Sequence, residues 1–191
     1  MELNFVYYKS VNKVLQKEVY KDKLVYAIIG TREPNRIEKD ITYNLGKRFA
    51  RKGIANMTGG ANGIDYYGTN GCVENGGNVI WVIPTFQEKL LITQPNLEYI
   101  NQNVGKGLDV VVVEYVQELT LKQQYLNRNQ IIIDTAKKVF IPMYFEECMN
   151  KNYGVYRQIK NMLNQEKIMK DEKKFIFLHD VIKALANGNT F

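Results

Sequence analysis

Two short stretches of this sequence combine glycines with groups that bind anions. The first, Gly30-Thr31-Arg32-Glu33-Pro34-Asn35, follows an apolar run and precedes Ile37, Ile41, Leu45 and Phe49. Apolar residues every four positions line one helical face. A turn from strand into helix leaves backbone N–H groups free at the positive end of the helix dipole, which makes an anion site. Arg32 can add a bidentate contact to a phosphate, or face water, or pair with Glu33. The second stretch, Thr58-Gly59-Gly60-Ala61-Asn62-Gly63-Ile64-Asp65, has glycine at three of the five positions 59–63. Glycine permits tight curvature and lets a ligand approach the backbone. Asn62 can donate or accept, and Asp65, in a first helical turn, either caps backbone N–H groups or binds a sugar hydroxyl. Further along stand Glu114, Tyr115, Tyr125 and Asn127-Arg128-Asn129-Gln130. Arg128, read as lying at a helix start, would point toward a phosphate or pair with Glu114. Tyr115 or Tyr125 could stack on a base or simply pack, as most of the 13 tyrosines must.

Other chemistries are disfavoured. Gly59 and Gly60 are adjacent and Gly63 follows, so the GxGxxG dinucleotide spacing fails, and no GxxxxGK[ST] segment exists. Cys72, Cys148 and His179 are too few for a structural zinc site, and the two cysteines form no CxxC pair. A disulfide between them is not expected in a reducing compartment. Glu114 is the one carboxylate well placed at a strand end, and an isolated acid defines no reaction. No cofactor and no metal are therefore expected, and non-catalytic binding is favoured over enzyme chemistry. The formal charge of +6 fits a polyanionic partner.

The elements that must position these residues alternate. Strands are expected at residues 24–29, 54–57, 79–83, 108–113, 139–143 and 175–178, with Pro84 breaking the third ladder. Helices are expected between them: one capped by Asn35 with Glu38 completing a capping box and Gly53 ending it, then 63–74, 97–104, 125–135, 155–163 and 181–186. This is an α/β pattern, a doubly wound, mainly parallel sheet of about six strands with helices on both faces. Right-handed crossovers put every strand-to-helix turn on one edge. Residues 1–23 read as an arm or short helix before a single domain at 24–191. Apolar runs are too short to span a bilayer, and the N-terminus lacks a secretion pattern, so the expected location is the cytoplasm.

The segments Ile29-Gly30-Thr31-Arg32-Glu33-Pro34, Thr58 to Asp65, Gly76-Gly77-Asn78-Val79-Ile80-Trp81-Val82-Ile83, Glu114-Tyr115 and Asn127-Arg128-Asn129-Gln130-Ile131-Ile132 resemble, in order and spacing, the motifs of the DNA-processing (Smf or DprA-like) family. The resemblance covers roughly residues 24–178, and that family is Rossmann-like, within the broader SLOG-type nucleotide-binding superfamily. It implies single-stranded DNA binding in DNA processing and recombination, a recombinase partner and a homodimer. The implied phosphate and DNA pocket falls on Arg32, Gly59, Gly60, Asn62, Gly63, Asp65, Arg128 and Asn129; the reading of the first turn adds Gly30 and Thr31 to the expected phosphate contacts, and Glu114, Tyr115 and Tyr125 are additional candidates. The chain departs from the family at four places. Asn62 and Gln130 stand where basic residues are usual, Tyr66-Tyr67-Gly68 replaces Ala-Ala-His, and Tyr153-Gly154-Val155 replaces a Ser-Gly turn. No winged-helix domain is expected, which fits a trimmed, phage-encoded member. Lys160, Lys167, Lys170, Lys173 and Lys174 could extend a DNA track or form a solvated face. The alternatives are a nucleotide-binding or nucleotide-processing protein and a structural, virion-type protein reusing the fold. A Pro-Gly-Gly-x-Gly-Thr segment, typical of enzymes in that superfamily that release bases from nucleoside monophosphates, is absent.

Overall fold

Apolar side chains alternate along each strand of the sheet, and the two sets feed two separate cores. Ala27, Ile29, Ile80, Val82, Val139 and Ile141 face one layer, while Tyr26, Ile28, Trp81, Ile83 and Phe140 face the other, as the two-residue period of a strand requires. The structure is a computed structural model that describes residues 5–87, 89–114, 116–151, 154–164 and 174–187.

The strands are β1 (Val25–Ile28), β2 (Ala55–Thr58), β3 (Val79–Phe86), β4 (Lys89–Leu90), β5 (Leu108–Val113), β6 (Lys138–Ile141) and β7 (Phe175–Phe177). The helices are α1 (Val11–Leu15), α2 (Arg36–Arg51), α3 (Ile64–Val73), α4 (Gln94–Asn103), α5 (Leu121–Thr135), α6 (Phe145–Asn150), α7 (Gly154–Asn164) and α8 (Leu178–Ala186). Six strands are parallel in the order β5-β3-β2-β1-β6-β7, and β4 folds back antiparallel on the end of β3. The chain starts at β1, winds outward to β5, and returns through α5 to β6 on the other side of β1. That reversal between β1 and β6 is the topological switch point, where open α/β sheets form their crevice.

Buried residues of α2, α3, α4 and α8 pack on one face, and those of α1, α5, α6 and α7 on the other. The Tyr26, Phe49 and Phe140 rings meet at 5.2–5.7 Å between centres and tie α2 to β1 and β6. Each such buried side chain contributes about 1.5–3 kcal/mol relative to exposure. Along α2 and α3 the backbones nearly touch. A Cβ at Gly46 would collide with the Gly68 carbonyl, and one at Gly71 with the Tyr43 carbonyl.

The doubly wound fold is as expected, with differences in detail. The sheet has seven strands rather than about six, because the two-residue β4 is too short to show as a pattern. Pro84 does not break its ladder: β3 runs on to Phe86, and Pro84 stands in register with Val113. Its missing N–H is harmless, because the last β2 partner on the other side is Thr58, opposite Trp81. The expected capping box of Asn35 and Glu38 opens α2, at 2.9 and 2.8 Å. α5 begins at Leu121, a full turn before the apolar pattern starts, because Thr120 and Gln123 form a second capping box. α6 escaped the periodicity altogether. In the region expected to be an arm or short helix, the short helix α1 and a 3-10 turn (Glu18–Tyr20) bury Val11, Val14 and Tyr20. Asp109 on β5 accepts bonds there from Lys17 at 2.7 Å and Tyr20 at 2.7 Å.

Candidate functional site

A cavity of about 1280 Å³ opens at the β1–β6 switch point. One wall is the turn after β1, from Ile29 to Glu33; a second is α5, from its first turn to Asn129; a third is α7, through Tyr156, Arg157, Gln158 and Asn161. Ala61 and Asp65 of the glycine-rich turn complete it.

Two guanidinium groups share this space. The central carbon of Arg32 lies 5.5 Å from the centre of the Tyr125 ring, and that of Arg128 lies 5.8 Å from it. Arg32 is exposed, whereas Arg128 is 5% exposed, which decides its character. A guanidinium carries five N–H donors. Nη1 of Arg128 donates to the Val82 carbonyl at 3.3 Å, and its Nε has no partner among the described residues. Burial pulls the Arg128 pKa below its usual value; Asp65 and Tyr125 oppose that shift, and Arg32 adds to it. Asp65 is itself pushed upward by burial, against the pull of Arg128 and of backbone donors. Two like charges beside one ring, one of them buried and incompletely bonded, form a site whose repulsion an anion would relieve.

The glycines have distinct duties. Gly59 leaves room for the Arg128 guanidinium, which a Cβ would strike. Gly60 and Gly63 take φ values of 61° and 83°. A side chain at Gly60 would press on Trp81, and one at Gly63 on the backbone carbonyls of Thr31 and Arg32. Asp65 spans the turn, accepting from the N–H groups of Gly59 at 3.1 Å and Ala61 at 3.3 Å. Of the two duties open to Asp65, the structure has it making the backbone contacts.

Gly30, Thr31, Arg32, Asp65, Tyr125, Arg128 and Asn129 thus line one cavity. Gly59, Gly60, Asn62 and Gly63 do not line it; they shape the turn behind it, and Asn62 accepts from Thr93 at 3.3 Å. Arg128 is not at a helix start but midway along α5, on its buried side, because Thr120 starts the helix early. Nor does it pair with Glu114, whose exposed carboxylate meets Lys9 at 3.2 Å. Tyr125 presents its ring to the two arginines. Tyr115 lies outside the described residues, as do Lys167, Lys170 and Lys173. Lys160 donates to the Met149 carbonyl at 3.0 Å. Sequence reasoning missed the α7 wall and the first turn of α5. The Thr120-x-x-Gln123 signature would have found the latter; nothing in the spacing of Tyr156, Gln158 and Asn161 marks them as lining a cavity.

No described helix is long and apolar enough to cross a membrane. The sequence of residues 13–144 matches the family model described as DNA recombination-mediator protein A. No curated protein matches the chain. Among solved structures, DNA processing protein A from Helicobacter pylori, described by its single-stranded DNA binding mode, is similar at 15% identity. The match covers 90% of this chain and 83% of that one, with a TM-score of 0.57. DNA processing protein A from Streptococcus pneumoniae is similar at 18% identity and TM-score 0.54; 87% of this chain covers 62% of that one. The Moco carrier protein of Chlamydomonas rheinhardtii is similar at 17% identity and TM-score 0.51, over 87% and 95% of the two chains. At these identities the likeness is one of fold.

Proposed function

Because the chain belongs to the DNA recombination-mediator protein A family, we propose that the cavity at the β1–β6 switch point binds single-stranded DNA by its phosphates, without catalysis. The observation that carries this reading is the buried, incompletely bonded Arg128 beside Arg32, whose turn leads into α2. Phosphate oxygens supply what that arrangement lacks: negative charge and acceptors for several N–H groups at once. Contacts to backbone rather than to base edges give little sequence preference. Gly30, Thr31, Arg32, Arg128 and Asn129 are the contact residues in this reading, and Gly59, Gly60, Asn62, Gly63 and Asp65 hold the turn that supports them. The family's description as a recombination mediator supports a recombinase as protein partner; a homodimer belongs to the same reading.

The test is a salt titration of binding to a labelled single strand. Affinity should fall steeply with salt, and Arg32→Ala should flatten the slope of log K against log salt by about 0.7, the value for one cation on a single strand. Arg128→Met, which keeps volume in the buried site, should weaken binding at least about tenfold. Unchanged binding in both variants would remove the cavity from consideration. A second reading, a mononucleotide in the same space, is favoured by how closely three walls surround the cavity. Saturation by mononucleotide that persists at moderate salt, with no gain from a longer strand, would select it.

A further inference from the structure

A half-buried aromatic group stands across the Gly30–Arg32 turn from the cavity and has no part in the binding just described. Tyr66 and Tyr67 sit in the first turn of α3 with rings 6.0 Å apart at 84°. Tyr66 meets Tyr99 of α4 edge-on at 5.4 Å, and Tyr99 lies flat against buried Trp81 at 5.5 Å and 17°. The ladder thus runs from the core out to two half-buried tyrosines. Nζ of Lys39, one turn into α2, lies 5.6 Å over the Tyr67 ring. Neither Lys39 nor Arg36 has an acidic partner among the described residues, and the nearby Glu38 is buried in the α2 cap.

The group is joined to the cavity's wall through the backbone. The N–H of Ile64, at the head of α3, donates to the Thr31 carbonyl at 3.0 Å, and Gly63 packs on the carbonyl of Arg32, whose guanidinium lines the cavity. The first turn of α3, which carries Tyr66 and Tyr67, is thus held against the turn that carries Arg32.

We propose that Tyr66, Tyr67 and Lys39 form a second contact for the same single strand, in which unpaired bases stack on the tyrosines and Lys39 turns to a phosphate. The proposal rests on the single-strand reading of the cavity. Magnitudes favour the exchange. A lysine over an exposed ring contributes about two- to fivefold in an equilibrium constant, whereas a base stacked on an aromatic side chain contributes about five- to a hundredfold. A base therefore displaces Lys39 from Tyr67, and the freed ammonium adds a phosphate contact. Acidic peptides would use the lysine but not the rings; a strand of bases and phosphates uses both.

The experiment compares oligothymidylates of about six and about sixteen nucleotides, near the two ends of the range of sites covered by single-strand-binding modules. The wild type should bind the longer strand at least about tenfold more tightly per site. Tyr66→Leu and Tyr67→Leu should each erase most of that gain and leave the short strand unaffected, and Tyr66→Phe and Tyr67→Phe should retain it. Irradiation of the wild type with a long strand carrying iododeoxyuridine should cross-link the peptide bearing Tyr66 and Tyr67, which decides the matter if a leucine variant fails to fold. A length gain that survives both leucine substitutions, or cross-links confined to other peptides, would overturn the proposal. Loss of short-strand binding in the wild type, with the Tyr66–Tyr67 cross-link kept, would instead count against the cavity.

Discussion

Gly59 and Gly63 lie four positions apart in one turn and should fail in different ways when a methyl is added. At Gly59 the methyl meets the far end of the Arg128 side chain. Gly59→Ala should therefore fold, displace the guanidinium and cost about tenfold or more in strand affinity. At Gly63 the methyl meets the backbone of Thr31 and Arg32, at a φ of 83°. Gly63→Ala should cost roughly 1–3 kcal/mol of stability, seen in thermal melts of the protein without ligand. The cysteines make a separate prediction. Burial pushes the Cys72 thiol up to about 12 and the Cys148 thiol to about 11. Thiolate is the reactive form, so neither should be alkylated near neutral pH until the protein is unfolded; labelling of the native protein, read by mass, would contradict this. At this scale much was legible in the sequence: the turns holding Arg32 and the glycines announce themselves by composition. What sequence could not tell was that Gly59 exists for Arg128, since the two are brought together only by the packing of α5 under the turn.

Elements were read best where their ends carry chemistry. Asn35 and Glu38 marked the start of α2 by side chains that satisfy its free N–H groups, and Asn35→Ala should cost about 1 kcal/mol in a melt. Thr120 and Gln123 do the same for α5, but the first turn they cap, Leu121-Lys122-Gln123-Gln124, is mostly polar, so the apolar period alone began the helix too late. That one-turn error turned a buried mid-helix Arg128 into an apparent terminal one. The N-terminal segment was read as an arm or short helix, but not its docking: its anchor is Asp109, about ninety positions away in sequence and invisible to any local pattern. Removing that carboxylate leaves the buried Tyr20 hydroxyl only the Val79 carbonyl, at 3.4 Å, and leaves Lys17 without its acidic partner. Asp109→Ala should lower stability by about 1–3 kcal/mol. The ion pair has a pH signature as well. Burial would lower the Lys17 pKa, yet the contacts with Asp109 and Tyr8 together outweigh it and the net shift is upward from 10.5. The contribution of Lys17 is therefore full below 10.5 and fades as pH rises through its elevated folded value. Alkaline melts should fall more steeply in the wild type than in Lys17→Met, where tyrosines pushed up by burial, such as Tyr20 and Tyr99, still titrate out of place.

For the molecule as a whole, the parallel sheet and the single edge that carries the turns follow from the alternation of elements and the handedness of crossovers, whereas the strand order, and with it the switch point beside β1 and β6, came only with the structure. The cavity's third wall did not follow, because α7 meets the crevice through Tyr156, Gln158 and Asn161, polar or aromatic residues whose inward placement depends on how β6 and β7 set the helix. One further property belongs to the whole: the glycine contacts between α2 and α3. With Gly46 against Gly68 and Gly71 against Tyr43, no side chain cushions one helix from the other. Such a joint transmits displacement instead of absorbing it. The two helix beginnings, one beside Arg32 and the other beneath Tyr66 and Tyr67, would then shift as a single lever. Deuterium uptake in both should slow in concert when a strand binds, even a strand too short to reach the tyrosines.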